Sequence, residues 1–465
     1  MSDSYEPSDG PNEGGNGPGG RGASKGERHA NRAREMLRQG RLVDAERELR
    51  AAVASDPSRG DWLLNLGWTL EATGKLDEAL AHYTQASNML PGARDPRLAA
   101  GLVLAKLNRH AEAVGALEAT LRIDPKCETA ASMLIRVLAM SGRHEDAETA
   151  YYMAVHAIER PATSHLEIAR SLLARGDLRR AEQCFRRAIA EGPTLIGARV
   201  ELARALLLAG RGAETAPLLA EEFRRGPVPA PIALEAARIH LACGRPAEAG
   251  QVLEQLARVE PSNPKLHLLL ARTMRRRDDL VRAARHVEIA TRIAADLPLL
   301  GLETGLLEAA RGRHAQARTL IEAELDKHAA DPVNRPGPTD RLDAIECIDA
   351  LLACGAGKRA ATLFETRFGR NPRKAFANDR DLLRLAARLA FERGDLREGR
   401  ACARRLLRLD PNNAVAIHNI ALAALVRRDF RSARAWIRRG LAAAPGDAGL
   451  RKLRTLWWWR RLTSW

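Results

Sequence analysis

Residues 60–93 read GDWLLNLGWTLEATGKLDEALAHYTQASNMLPGA. Leu63, Leu66 and Leu70 recur at three- and four-residue intervals, and Ala79, Tyr83 and Ala86 do so again after Gly74. Each spacing places its residues on one face of a helix. Gly74 supplies the left-handed conformation that closes the first helix. Pro91 cannot continue the second. The stretch therefore predicts two antiparallel helices joined by a tight turn.

The same pattern returns every 34 residues, in units starting at 26, 60, 94, 128, 162, 196, 230, 264 and 298. Small residues hold the eighth position, as Ala33, Gly67, Gly101, Ala169, Ala203, Ala237, Ala271 and Gly305. A second small position recurs from Ala45 and Ala79 to Ala317. Small side chains let paired helices approach closely. The sixth unit is degenerate in its second helix, where Thr215 and Glu222 replace small residues. The phase breaks at DPVNRPGPTD, residues 331–340. A tenth unit covers 341–374, AFAND follows, and two more units occupy 380–447. Residues 448–465 predict a terminal helix that caps the twelfth unit through Leu450, Leu453 and Trp457. Residues 1–25, rich in Gly and Pro and nearly free of apolar side chains, are expected to be a disordered tail. A single hairpin cannot bury its apolar face, so the units must stack. The expected fold is all-α: a solenoid of about twelve helix-turn-helix repeats in 26–331, 341–374 and 380–447, with a capping helix.

Leu63, Leu66, Gly67, Leu70, Ala79, Tyr83, Ala86 and Pro91 make the chain resemble the tetratricopeptide repeat family. The resemblance covers almost everything after residue 26. It implies a right-handed superhelix whose first helices line a concave groove. It also implies a non-catalytic scaffold for protein–protein interaction, holding an extended partner segment. Two specialisations of the family are not matched. Leu64, Trp68 and Leu98 stand where a chaperone-tail clamp has Lys and Asn, and the Asn ladder of sugar-transferring relatives is interrupted by Glu167, Glu201, Glu235 and Glu303.

The resemblance places the ninth residue of each first helix in the groove. That position holds Arg34, Trp68, Leu102, Arg136, Arg170, Arg204, Arg238, Arg272 and Leu306, and Arg388 repeats it in the eleventh unit. A ladder of planar, permanently charged forks suits an acidic peptide. The alternative is internal pairing, because Glu167, Glu201 and Glu235 lie three residues before Arg170, Arg204 and Arg238. Arg136 and Arg272 have no such Glu and are the better ligand candidates.

The chain has 465 residues, 74 Lys plus Arg, 58 Asp plus Glu and a net charge of +16. Residues 380–465 hold 20 basic and 7 acidic residues, hence +13 of that excess. Trp436, Trp457, Trp458, Trp459 and Trp465 cluster there, with Arg460 and Arg461. A basic, Trp-rich end suits a protein hot spot, single-stranded nucleic acid or an anionic membrane surface. A protein contact is the leading expectation, and nucleic acid or anionic-surface binding is the alternative. A role as regulatory subunit of a separately encoded enzyme is a further one.

Several classes are excluded by absence of their signatures. No run of apolar residues is long enough for a membrane span, and the acidic N-terminus lacks the features of a signal peptide. Cys127, Cys184, Cys243, Cys347, Cys354 and Cys402 form no Cys-x-x-Cys pair, which points to reduced thiols in a cytoplasmic protein. Cys347 and Cys354, seven residues apart, are expected on one core face of a helix. Gly15, Gly17 and Gly20 match a dinucleotide fingerprint only formally, lying in the tail. No catalytic residue, metal or cofactor is expected.

Overall fold

A computed structural model describes residues 24–330, 341–369 and 379–462, with side chains to Trp459. Among these residues are 25 α-helices and no strand. Helices alternate as the 34-residue period requires. Lys25–Arg38 pairs with Leu42–Ser55, Gly60–Ala72 with Leu76–Met89, and so on through the fifth repeat, and again from Ala230–Ala242 with Pro246–Val259 to Ala414–Val426 with Phe430–Ala443. The protein is an all-α solenoid.

Helix Lys25–Arg38 opens on a capping box. Ser24 accepts the Glu27 amide, and the Glu27 carboxylate accepts the Ser24 amide at 2.7 Å. Between the helices of each repeat, one residue is left-handed. Gly74 has φ +82°. Where glycine is missing at that place, Asn108, Asp278 and Arg428 take the same conformation at φ +58°, +62° and +58°. Asn and Asp accept it through their short polar side chains; Arg428 has no such help.

The small eighth position has a steric cause. A Cβ built on Gly67 would lie 2.4 Å from the Tyr83 ring, which is fully buried. Gly101 against Leu117 and Gly305 against Ile321 repeat this close approach of a first helix to a large side chain of its partner helix.

The helices group into two compact units, divided between Ala209 and Gly210. The division falls inside the sixth repeat, where the expected second helix is replaced by a 3-10 turn, Gly212–Glu214, and a short helix, Thr215–Arg224. Thr215 and Glu222 are buried there, so the sequence departure and the structural one coincide.

In the second unit one apolar core runs from Leu302 through Ile348, Leu383, Leu406 and Ile437 to Trp457. It crosses the phase break: helix Arg341–Ala353 restarts the stack with Ile345, Cys347, Ile348 and Leu351 buried. Cys354 does not share that face. It sits after the helix ends, partly exposed, with its sulfur 3.8 Å from His314 Nδ1. The terminal helix Ala448–Leu462 buries Leu450, Leu453 and Trp457 against the twelfth repeat. The Trp457 indole N–H donates to the Phe430 carbonyl at 2.7 Å.

Candidate partner-binding surfaces

In the first unit three predicted arginines stand on three successive first helices, Glu128–Met140, Ala162–Ala174 and Ala198–Leu208. Arg136 is not free. Its Nε and Nη2 donate to the two oxygens of Glu167 at 3.0 and 2.6 Å. Those bonds hold the Arg136 pKa above its ordinary value, against the opposing pull of burial. Arg170 donates to the same Glu167 at 2.8 Å and approaches Glu201 at 3.5 Å. Arg204 meets Glu201 only at 3.9 Å, and Glu201 Oε2 is buried without a hydrogen bond. Three guanidinium groups are thus served by two carboxylates. Their side chains remain 44%, 38% and 43% exposed.

The other predicted residues of this unit are modest. Arg34 is exposed and donates to Asn31 at 2.9 Å. Trp68 is half-buried against the core of the second and third repeats.

In the second unit the expectation for Arg272 is overturned. It is 4% exposed and is not available to a ligand. Its Nε faces Glu303 at 3.3 Å and its Nη1 donates to Asp343 at 2.6 Å. Arg275 binds Glu303 and Glu346 at 2.6 and 2.7 Å. Arg276 binds Glu346 at 2.7 Å, Asp343 at 3.1 Å and the Leu241 carbonyl at 2.9 Å. Three arginines and three carboxylates form one neutral, interlocked cluster. Burial by itself would raise the Glu303 pKa, but Arg275 and Arg272 overcome it and hold the carboxyl below its ordinary value. The cluster fastens helix Pro264–Arg276 to Leu300–Ala310 and to Arg341–Ala353, beyond the phase break. Its role is structural.

Arg238 makes a loose contact with Glu235 at 3.5 Å and is half-exposed. Arg388 lies 3.4 Å from Asp349, which Arg384 already holds with two bonds of 3.0 and 2.7 Å.

At the C-terminal end the predicted tryptophans separate. Trp457 is 5% exposed and belongs to the core, a correction forced by its seat under the twelfth repeat. Trp436 is half-buried, with the Arg439 guanidinium 5.3 Å from its ring centre. Trp458 and Trp459 are 57% and 66% exposed. Arg460, Arg461 and Trp465 lie outside the residues whose side chains are described.

Part of the arginine pairing is not legible on a single helix of the sequence. Arg170 takes Glu167 three residues before it, as the same-helix alternative expects, but Arg136 and Arg272 take the Glu 31 residues later, at 167 and 303, and Arg170 also nears Glu201 in that way. That offset is one repeat less three residues, so the signal was present one unit further along. Asp343 and Glu346 gave no such signal, because they follow the break in phase.

A buried hydrogen-bonded chain also joins Tyr151 to His165 Nδ1 at 2.9 Å and His165 Nε2 to Glu191 at 3.2 Å. Burial raises the Tyr151 pKa to about 12 and lowers that of His165. The chain ties the fourth repeat to the fifth. Among the described residues no cluster of His, Cys, Asp or Glu has a metal-binding arrangement, and no helix is long and apolar enough to cross a membrane.

Stacked helical hairpins with charged first-helix faces define a helical-repeat interaction protein. Tetratricopeptide repeat models match residues 31–93, 98–162, 166–227 and 384–448, and others match 229–273 and 264–288. The matches cover more than half of the chain, which belongs to the tetratricopeptide repeat family. Members of this family bind protein partners and are typically non-catalytic scaffolds, and in that general sense this chain is a protein-interaction scaffold.

Among solved structures, a tetratricopeptide repeat protein from Parabacteroides merdae is 21% identical, over 54% of this chain and 98% of its own, with a TM-score of 0.45. A chain of the APC/C hetero-tetramer Cut9–Hcn1 is 14% identical over 93% and 96%, with a TM-score of 0.48. PilW, a widely conserved type IV pilus biogenesis factor, is 21% identical over 54% and 100%, with a TM-score of 0.37. No curated protein matches the chain.

Proposed function

We propose that this protein is an assembly scaffold that holds an extended acidic segment of a protein partner along the first helices of its fourth to sixth repeats. The observation that carries this reading is the imbalance at Arg136, Arg170 and Arg204. Three guanidinium groups share the carboxylates of Glu167 and Glu201, and Arg204 has only a 3.9 Å contact. The two glutamates pre-set the rotamers of the arginines, so little side-chain entropy is lost when a ligand carboxylate docks. The outer donors of each fork stay open to water and to a partner. A peptide with acidic residues in extended spacing would complete the row.

The test is binding of a fluorescein-labelled Asp/Glu-rich peptide to the full chain, read by anisotropy. The triple variant Arg136→Ala, Arg170→Ala, Arg204→Ala should bind at least about tenfold more weakly, the loss expected when hot-spot arginines are truncated. Helical circular dichroism should be unchanged, since all three side chains are partly exposed. Equal affinity in the variant and the parent would overturn the reading.

A further inference from the structure

We propose that the second helices of the eleventh and twelfth repeats, together with the terminal helix, form a binding surface for single-stranded nucleic acid. Helix Leu396–Leu409 carries a row of arginines. Arg397, Arg400 and Arg404 lie three and four residues apart and share one face. On helix Phe430–Ala443, Arg431, Arg434 and Arg438 repeat the arrangement after 34 residues. Two successive repeats thus carry the same cationic stripe, and it lies on the second helices rather than the first.

None of these six arginines makes an ion pair among the described residues. The nearby carboxylates are occupied elsewhere. Asp395 and Asp429 cap the two helices by accepting the Glu398 and Ser432 amides, and Asp410 accepts those of its own turn. Burial and then the neighbouring charges of Arg404 and Arg427 lower the Arg400 pKa, and Asp429 does not offset them. Like charges crowded without internal compensation cost stability, and an anion removes that cost. Guanidinium forks fit phosphate oxygens pairwise.

The stripe runs into aromatic surface. The Arg434 guanidinium lies 5.5 Å from the centre of the buried Trp457 ring, and Trp458 stands edge-on to Trp457 at 5.3 Å. Trp458 and Trp459 then turn outward. At 100° per residue, Arg451 and Thr455 fall between these two rings on the helix surface. The exposed face is therefore not continuously apolar, as a helix lying in a lipid interface needs to be. Rings alternating with cations suit unstacked bases alternating with phosphates. The surface uses none of Arg136, Arg170 and Arg204, so it stands or falls independently of the acidic-peptide reading.

The experiment titrates the full chain into a labelled, mixed-sequence single-stranded RNA of about 20 nucleotides, across a salt series. Binding should weaken steeply, with log K falling linearly in log salt by about 0.7 per phosphate contact. Arg397→Ala, Arg400→Ala, Arg404→Ala together should weaken binding and reduce that slope by about 2, the sum for three lost contacts. Trp458→Ala with Trp459→Ala should cost about tenfold and leave the slope unchanged. The Arg136, Arg170 and Arg204 triple variant should bind the RNA normally. Absence of salt-dependent RNA binding, or an arginine variant identical to the parent, would overturn the proposal. So would binding to phosphatidylserine vesicles without binding to the oligonucleotide.

Discussion

Arg272, Arg275 and Arg276 and the stripe Arg397, Arg400, Arg404 are each three arginines on a single helix, and their environments are opposite. The first set is about nine-tenths buried or more and faces Glu303, Asp343 and Glu346. The second faces solvent or half-faces it and meets no carboxylate as an ion pair among the described residues. Arginine density therefore says nothing by itself about binding. What decides is whether the neighbouring repeat supplies carboxylates. In the eighth to tenth repeats it does, and the charges become an internal fastening. On the second helices of the eleventh and twelfth repeats it does not for this stripe, among the described residues, although Arg384 and Arg388 on the eleventh repeat's first helix still meet Asp349.

The largest expected effect comes from breaking the fastening. Asp343→Ala leaves Arg272 and Arg276 buried with one partner fewer, and should cost about 3–5 kcal/mol in chemical denaturation. A loss under about 1 kcal/mol would mean that water or a moved side chain replaces the carboxylate, and would erase the contrast between the two sets.

A second effect sharpens the contrast between interior and surface by pH. His240 is buried on helix Ala230–Ala242, with Nδ1 unbonded, and burial, helped by Arg245, lowers its pKa to about 4. The unfolded chain takes up that proton near pH 6.5. Below that pH the unfolded state therefore binds more protons than the folded one, and stability falls as the pH drops from about 6.5 to 4. His240→Phe should flatten this part of the stability–pH curve. An unchanged curve would show that His240 takes up its proton as readily in the fold as in the unfolded chain.

The smallest effect belongs to the exposed stripe. Arg397→Ala, Arg400→Ala, Arg404→Ala should shift unfolding stability by no more than about 0.5 kcal/mol per site, with a slight gain at low salt from relieved repulsion. A loss comparable to that of Asp343→Ala would show that the stripe is structural after all.

Much of the fold was legible in the sequence because a 34-residue period repeats its own evidence. Gly67 against Tyr83, the turn glycines and the closing prolines each encode a local steric demand. The register therefore predicted the helices up to the phase break and the cap at Leu450, Leu453 and Trp457. The site was legible only in part. The ninth-position arginines were visible, and so was the same-helix partner of Arg170, but the partners of Arg136 and Arg272 lie on other helices. Glu167 serves Arg136 from the next repeat, a relation that exists only once the helices are stacked. The stripe at 397–438 was equally periodic, yet it lies on second helices, where no groove was expected.

The sequence by itself determined the secondary structure, the repeat length and the stacking, since these follow from local helix periodicity and from the need of each hairpin to bury its apolar face. Only the tertiary structure decided which arginines are available. For Arg136 and Arg272 pairing depends on carboxylates 31 to 71 residues away. Whether such a carboxylate lands within hydrogen-bond reach is set by helix packing across repeats, and at Asp343 by a restart of the stack that no period announces.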